Sequence, residues 1–493
     1  MASLAKPERP QKTAGLAFWM LRVLEECDHA SAGFAPGPVH DLRVALRRCR
    51  SMADGLMAND PDPAWRQMKK AGKRLFSSLG ELRDAHVMED WVHRFDTPGD
   101  PVTNTVLNFL AAQEAAFKQQ AAQALLEFDR KQWRKWCRQL PHRAGRVRSG
   151  GAIFKHLALE RWTEAHDLHR RALRNRSQVA FHSLRIGIKR FRYIVENFLP
   201  QEHADWAADL KELQDLLGDV HDLDVLWATS VRINAFPDGE SKARWHSRIL
   251  AEREAQIAQY RKKMVGEKSL WPVWRDALPK GDQIEAIALR RLKLWGSFLD
   301  RDSAHSGHVA RLALQVFDGL PSFLTASESR GQRRILQLAA LLHDVGRSAG
   351  DQGHHKETYK LIHKLAAPLG WKPEDLALAA AIARYHRGAL PRTGQKSLAG
   401  MSLSQRKEMS RLAGILRLAN AFDSERDGRI QQLKFAQNNG VLKIQAQGYS
   451  SRDRRAEAIA AARHLLEIVY RRPILVSALR PARTKPPQKN RAG

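Results

Sequence analysis

Five segments in the second half of the chain carry His and Asp in an order that could hold a metal ion. They are His305-Ser-Gly-His308, Leu341-Leu-His343-Asp344-Val-Gly346, Gly353-His354-His355-Lys356, Arg384-Tyr385-His386-Arg387 and Leu418-Ala-Asn420-Ala-Phe-Asp423. Imidazoles and carboxylates without thiolates suit a hard-to-borderline divalent ion: Mg, Mn, Fe, Ni or Zn. The adjacent pair His343-Asp344, at the end of an apolar helical run, can turn both groups onto one ion. A first-helix His and a distant Asp would complete an open site with room for water. Water held there becomes a nucleophile for phosphate esters or anhydrides.

The first half carries a different set. His40, Arg43, Arg47 and Arg50 fall at i, i+3, i+7 and i+10, on one helical face. His182, Arg185, Lys189 and Arg192 repeat the pattern, offset by 142 residues throughout. Cations so spaced repel, so such a face persists only beside an anion or carboxylates. Downstream, Lys73…Leu79-Gly80-Glu81-Leu-Arg83-Asp84-Ala-His86 lines up with Lys211…Leu217-Gly218-Asp219-Val-His221-Asp222-Leu-Asp224, now offset by 138. Two matches in the same order indicate a duplicated unit of about 140 residues. Base reading would need amides and stacking rings along the stripes; Phe191 and Tyr193 are the only nearby aromatics. Arg forks and His donors without rings suit phosphate oxygens alone. A linear phosphate polymer is therefore favoured as the partner, and nucleic acid is disfavoured.

The elements that must position these residues are helices. Leu210, Leu213, Leu216 and Leu217 make one 3–4 stripe among many, and β-branched runs are scarce. One segment, Gln432–Ala446, reads as two short strands around Asn438-Asn439-Gly440. Proline and glycine between Pro272 and Gln283 predict a domain boundary. Thirteen Trp, among them the pairs Trp133/Trp136 and Trp271/Trp274, are expected in the core.

Composition narrows the class. Lys plus Arg number 82 against 53 acidic residues, a net charge of +29 that calls for a polyanion. A hydrophobic share of 43% is enough for packed domains. Three scattered cysteines fit a reducing cytoplasm. Met1–Lys12 lacks an apolar core, and no apolar run is long enough to span a bilayer, so neither secretion nor a membrane is expected. The basic, proline-rich residues 481–493 are expected to be a disordered tail. No Walker A loop, no Gly-x-Gly-x-x-Gly after a strand and no Cys-x-x-Cys pair is present, so no organic cofactor is expected.

The duplicated His-x-x-Arg helix with its Leu-Gly partner motif resembles the CHAD domain, the histidine-bearing α-helical domain. The resemblance spans residues 10–270, with repeats at about 15–135 and 155–265. It implies two four-helix bundles about a pseudo-two-fold axis, with a basic channel that binds polyphosphate. Carried over, the channel comprises His40, Arg43, Arg47, Arg50, Lys73, His182, Arg185, Lys189, Arg192 and Lys211; His86 and His221 belong to the partner motif. The His/Asp order resembles the HD metallohydrolase superfamily, and more closely the helical C-terminal domain of exopolyphosphatase/guanosine pentaphosphatase proteins, over residues 285–480. That implies a mainly α chain: CHAD-like bundles, then a helical HD-like domain with a small β-hairpin.

The same resemblance implies metal ligands at His305, His343, Asp344 and Asp423, with His355 (or His354) and His386 serving a second ion or the phosphate. His343 and Asp344 would be the catalytic pair, and His308 an exposed neighbour. In the exopolyphosphatase family the phosphatase chemistry belongs to a preceding actin-like domain, which CHAD-like sequence replaces here. Two readings follow: a polyphosphate-binding protein with a metal-dependent phosphohydrolase domain, or a non-enzymatic polyphosphate-granule or polyphosphate-sensing protein. Polyphosphate ends, a guanosine alarmone and a nucleotide are all candidate substrates, and a homodimer is compatible with either reading.

Overall fold

In a computed structural model, residues 15–321, 324–438 and 440–479 are described. Met1–Lys12 and the tail at 481–493 lie outside them. The chain divides into two compact units between Ile287 and Ala288. The stretch Pro272–Gln283 begins inside a helix rather than a linker, and the division falls within the helix that follows.

The first unit contains α1 (Leu16–Ser31), α2 (Pro36–Met57), α3 (Pro63–Arg94), α4 (Pro101–Leu126), α5 (Arg130–Ala144), α6 (Ala152–Asn175), α7 (Gln178–Phe198), α8 (Pro200–Arg232), α9 (Gly239–Met264) and α10 (Leu270–Asp276). Starts are written locally. Asp62 and Asp100 cap α3 and α4 with their carboxylates, each followed by Pro at the first position, where no N–H is needed. Successive helices pack side by side within each repeat, and equivalents meet across it: α2 on α7 and α3 on α8. That pairing is what a two-fold relation requires. One core, with Trp91 and Val106 from the first repeat and Leu223 and Trp245 from the second, binds the two. The repeat extends further than the stripes. Trp133-x-x-Trp136-x-x-x-Leu140-Pro141 on α5 recurs at offset 138 as Trp271-x-x-Trp274-x-x-x-Leu278-Pro279 around α10, and all four Trp are buried.

The second unit holds most of α11 (Asp282–Ser297), then α12 (Ser303–Gly319), α13 (Ala326–Leu342), a 3-10 turn (Val345–Ser348), α14 (His354–His363), α15 (Pro373–Arg384), α16 (Leu403–Phe422), β1 (Leu433–Asn438), β2 (Val441–Ala446), α17 (Arg454–Tyr470) and β3 (Ile474–Ala478). β1 and β2 form the expected hairpin, Asn438 opposite Val441. A third strand, not foreseen, lies parallel to β2 and is reached through α17, the crossover a parallel pair needs. Its core is Leu, Ile and Ala from α12, α13, α15 and α16. No helix of the described residues is long and apolar enough to cross a membrane.

Two glycines make the packing testable. A Cβ on Gly55 of α2 would sit 2.4 Å from the Phe198 ring of α7, whereas one on Gly218 of α8 meets nothing within 4 Å. Gly55→Ala should cost about 1–3 kcal/mol through crowding at the repeat junction. Gly218→Ala should stabilise by about 0.5–1 kcal/mol through helix propensity. Denaturant midpoints of the two variants should move in opposite directions.

Candidate functional site

In the second unit, Asp302 caps α12 by accepting from the His305 N–H at 3.1 Å, which sets His305 in the first turn. His343 closes α13 and Asp344 follows it. Gly346 is required just beyond: a Cβ there would lie 2.2 Å from the His354 carbonyl oxygen. The Gly346 N–H donates to Thr358 Oγ1, and the Thr358 hydroxyl donates to the His343 carbonyl, both at 3.0 Å. α14 is thereby pinned against the His343-Asp344 turn, and His354 is carried inward. His386 follows α15.

Three imidazoles are oriented in one way. Nδ1 of His343 faces the Ala340 carbonyl at 2.7 Å, that of His354 the Asp351 carbonyl at 2.9 Å and that of His386 the Ala383 carbonyl at 2.8 Å. A carbonyl only accepts, so Nδ1 carries the proton in each and Nε2 is left to face inward. The three Nε2 atoms lie 3.7, 3.2 and 3.9 Å from Asp344 Oδ1, and those of His354 and His386 are 3.3 Å apart. Burial pushes the His343 and His386 pKa values down, so their Nε2 lone pairs stay free. His343 Nε2 is buried without a partner. Lone pairs crowded on a carboxylate oxygen repel unless a proton or a metal cation lies among them. Burial pushes the Asp344 carboxyl up, but the hydrogen bonds and charges around it, Arg426 among them, outweigh burial and hold it far below the usual range.

His305, His343 and Asp344 form one group of potential ligand atoms within 4.8 Å of one another; Asp344, His354 and His386 form a second. Asp344 is common to both. Asp423 lies beside them but is engaged: Oδ2 receives His305 Nδ1 at 2.7 Å and Oδ1 accepts from the Gly428 N–H at 2.9 Å. His354, not His355, points a nitrogen into the cluster. His355 packs against Gly388, where a Cβ would come within 3.1 Å of its ring. His308 is not exposed but buried, tied to the Ile430 carbonyl at 2.9 Å ahead of the hairpin. A cleft of about 600 Å³ opens on the cluster and is lined also by Arg347, Arg387, Arg417 and Arg426.

In the first unit the two stripes converge. Burial, then Arg185, Arg47 and Arg43, push Lys189 down to about 8. Burial raises the carboxyls of Asp84 and Asp222, the latter to about 6, against Arg185 and Lys189 beside both. Asp84 and Asp222 are repeat equivalents and supply the neutralising charge that the stripes require. Arg43 lies on Gly80, whose Cβ would approach Nη1 to 2.7 Å, and its guanidinium sits 4.9 Å from the Phe76 ring centroid. Arg50 covers the same ring at 4.9 Å, with Nη1 buried and unpartnered. His182 faces His221 at 3.3 Å between Nδ1 atoms. Burial, then Arg185, push His221 down to about 4; burial, then Arg47 and Arg83, lower His40. Arg192 faces Glu196 at 3.8 Å. Lys73 and Lys211 are both exposed.

Residues 20–230 match the CHAD domain family. Residues 296–451 match the family of Ppx/GppA phosphatase, domain III. The chain joins a CHAD domain to a Ppx/GppA-type domain III. Both families point to a polyphosphate-related function. Among solved structures, the CHAD domain from the plant Ricinus communis is 20% identical and covers 55% of this chain and 96% of its own, with a TM-score of 0.37. No protein of curated function matches this chain.

Sequence reasoning passed over Asp84 and Asp222 of the CHAD domain, although both stand inside the repeated partner motif. It also passed over the four arginines of domain III. Arg387 adjoins a quoted His, but Arg426 is separated from Asp344 by 82 residues and carries no local signal. Lys189 gives a pH test. Bound phosphates would raise its pKa above the free value of about 8, so binding takes up a proton wherever free Lys189 is neutral. Polyphosphate affinity should fall as pH rises from about 7.5 to 9, by up to about tenfold from this group. Lys189→Arg should flatten the decline in a filter-binding or calorimetric titration.

Proposed function

We propose that the protein binds inorganic polyphosphate in its CHAD domain and hydrolyses a phosphoanhydride or phosphate ester in domain III, read as an HD-type metal centre. The binding half rests on the ten carried-over cations and histidines, of which Arg43, Arg47, Arg185 and Lys189 crowd together across the repeat. The catalytic half rests on one observation: three imidazole Nε2 atoms and His305 gather around the single carboxylate of Asp344. The donor set fits a divalent ion, with His305, His343 and Asp344 on one side and Asp344, His354 and His386 on the other. A bound ion would supply Lewis acidity and an ionised water. The chain's own groups do the rest. Backbone carbonyls fix the imidazole tautomers. Arg347 and Arg426 hold the second Asp344 oxygen. Arg387 and Arg417 make the cleft attractive to an anion. Such a protein would act in the cytoplasm, where polyphosphate granules offer the polymer at high density.

A non-enzymatic sensing role has one observation in its favour. Asp423 commits its two oxygens to His305 and Gly428 and leaves neither side of the carboxylate unengaged. Elemental analysis with phosphate release from a polyphosphate and nucleotide panel separates the two. Wild type should carry divalent metal and release phosphate. Asp344→Ala should lose both while keeping polyphosphate binding. Metal without turnover on any substrate would select the sensing role; absence of metal would reject the centre.

The binding half has its own test. Changing Arg43, Arg47, Arg185 and Lys189 together to Glu should abolish polyphosphate binding with helical content unchanged. Wild-type affinity should fall about a hundredfold or more between 50 and 200 mM salt, because each neutralised phosphate releases counterions. A shallow salt slope would remove the channel.

A further inference from the structure

The loop after α16 brings two groups to the candidate metal centre, Asp423 to His305 and Arg426 to Asp344. Arg426 stands at φ +58°, in the left-handed region that a side chain of its size rarely occupies. Its guanidinium spans Asp302, the cap of the helix bearing His305, and Asp344, the hub of the cluster. Something must hold the loop in that form. Arg455, on the first turn of α17, is 1% exposed. It donates to Glu425 Oε2 and Asp427 Oδ2, each at 2.7 Å, and to Asp427 Oδ1 at 3.3 Å. Glu425 and Asp427 flank Arg426 on either side. A guanidinium buried on two carboxylates is a strong, directional fixture. Leaving it half-paired would be costly. The same helix lines the cleft with Ala458, Ala461 and Ala462, and it begins at Arg454, beyond the residues matched to domain III.

We infer that Arg455 is the positioning residue of the metal centre and that α17 is an integral wall of its cleft. Through Glu425 and Asp427 it fixes the turn that aims Asp423 at His305 and Arg426 at Asp344. The inference rests on the metal reading given above.

The test uses the full chain with Mn²⁺ as the probe. Arg455→Met should weaken Mn²⁺ binding by about 10–100-fold, the range for partners that orient a ligand. Helical content and polyphosphate binding by the CHAD domain should stay at wild type. Arg455→Lys keeps a cation within reach of Asp427 and should recover most of the loss. A merely structural Arg455 would lower the thermal midpoint in both variants but leave the folded protein's Mn²⁺ affinity unchanged, and that result overturns the inference. Should Arg455→Met not fold, Asp427→Asn takes its place, since the Asp427 side chain is 41% exposed; it must weaken Mn²⁺ binding in the same range. Wild-type protein that takes up no metal would sink the metal reading by itself. Positioning is then decided by amide exchange: faster exchange across Asp423–Gly428 in Asp427→Asn supports it, and unchanged exchange overturns it.

Discussion

One carboxylate organises domain III. Asp344 turns one oxygen to three imidazole nitrogens and the other to two arginines. The segments that supply those groups span His343 to Arg426, and the interactions must be met together, because a buried charge is tolerated only when it is paired on all sides. The tight turn at Gly346, the docking of α14 and the left-handed Arg426 all serve this one group. Its surroundings also explain why the cluster suits a cation. Imidazoles whose Nδ1 protons are committed to carbonyls have only lone pairs to present inward, and lone pairs do not gather on a carboxylate by themselves.

The CHAD domain solves the inverse problem. There the excess is positive, and two aspartates from the repeated partner motif stand among the cations of both stripes. Burial, then the like charges beside them, hold Lys189 and His221 below their ordinary pKa values. Duplication supplies the geometry: each repeat contributes one basic helix, and the pairing of α2 with α7 sets the two stripes in register.

The two domains share a logic of unfulfilled polar groups with opposite sign. The CHAD domain gathers cations along two stripes, and domain III holds a cluster of potential metal ligands beneath an arginine-lined cleft. Arg417 illustrates how tightly the cleft is built: it donates to the Tyr385 carbonyl at 3.1 Å and to that of Gly388, so the turn bearing His386 is fixed by the same residue that lines the wall.

Much of this was legible in the chain itself. Helical periodicity, Asp-Pro starts and the 142- and 138-residue offsets give the helices and the duplication, because these signals are local or repeated. The order of His and Asp motifs marks His305, His343, Asp344 and His386 for the same reason. Tertiary structure alone decided what depends on direction and distance. His354 and His355 are adjacent, and only the docking of α14 on Gly346 determines which imidazole turns inward. His308 has the same residue type as His305 one turn away, yet it serves the entry to the hairpin. Arg426 and Arg455 reach their partners over sequence distances of 82 and 28 residues, where no spacing rule operates. Position along a helix is written in the sequence, whereas which atoms meet across helices is fixed only by packing.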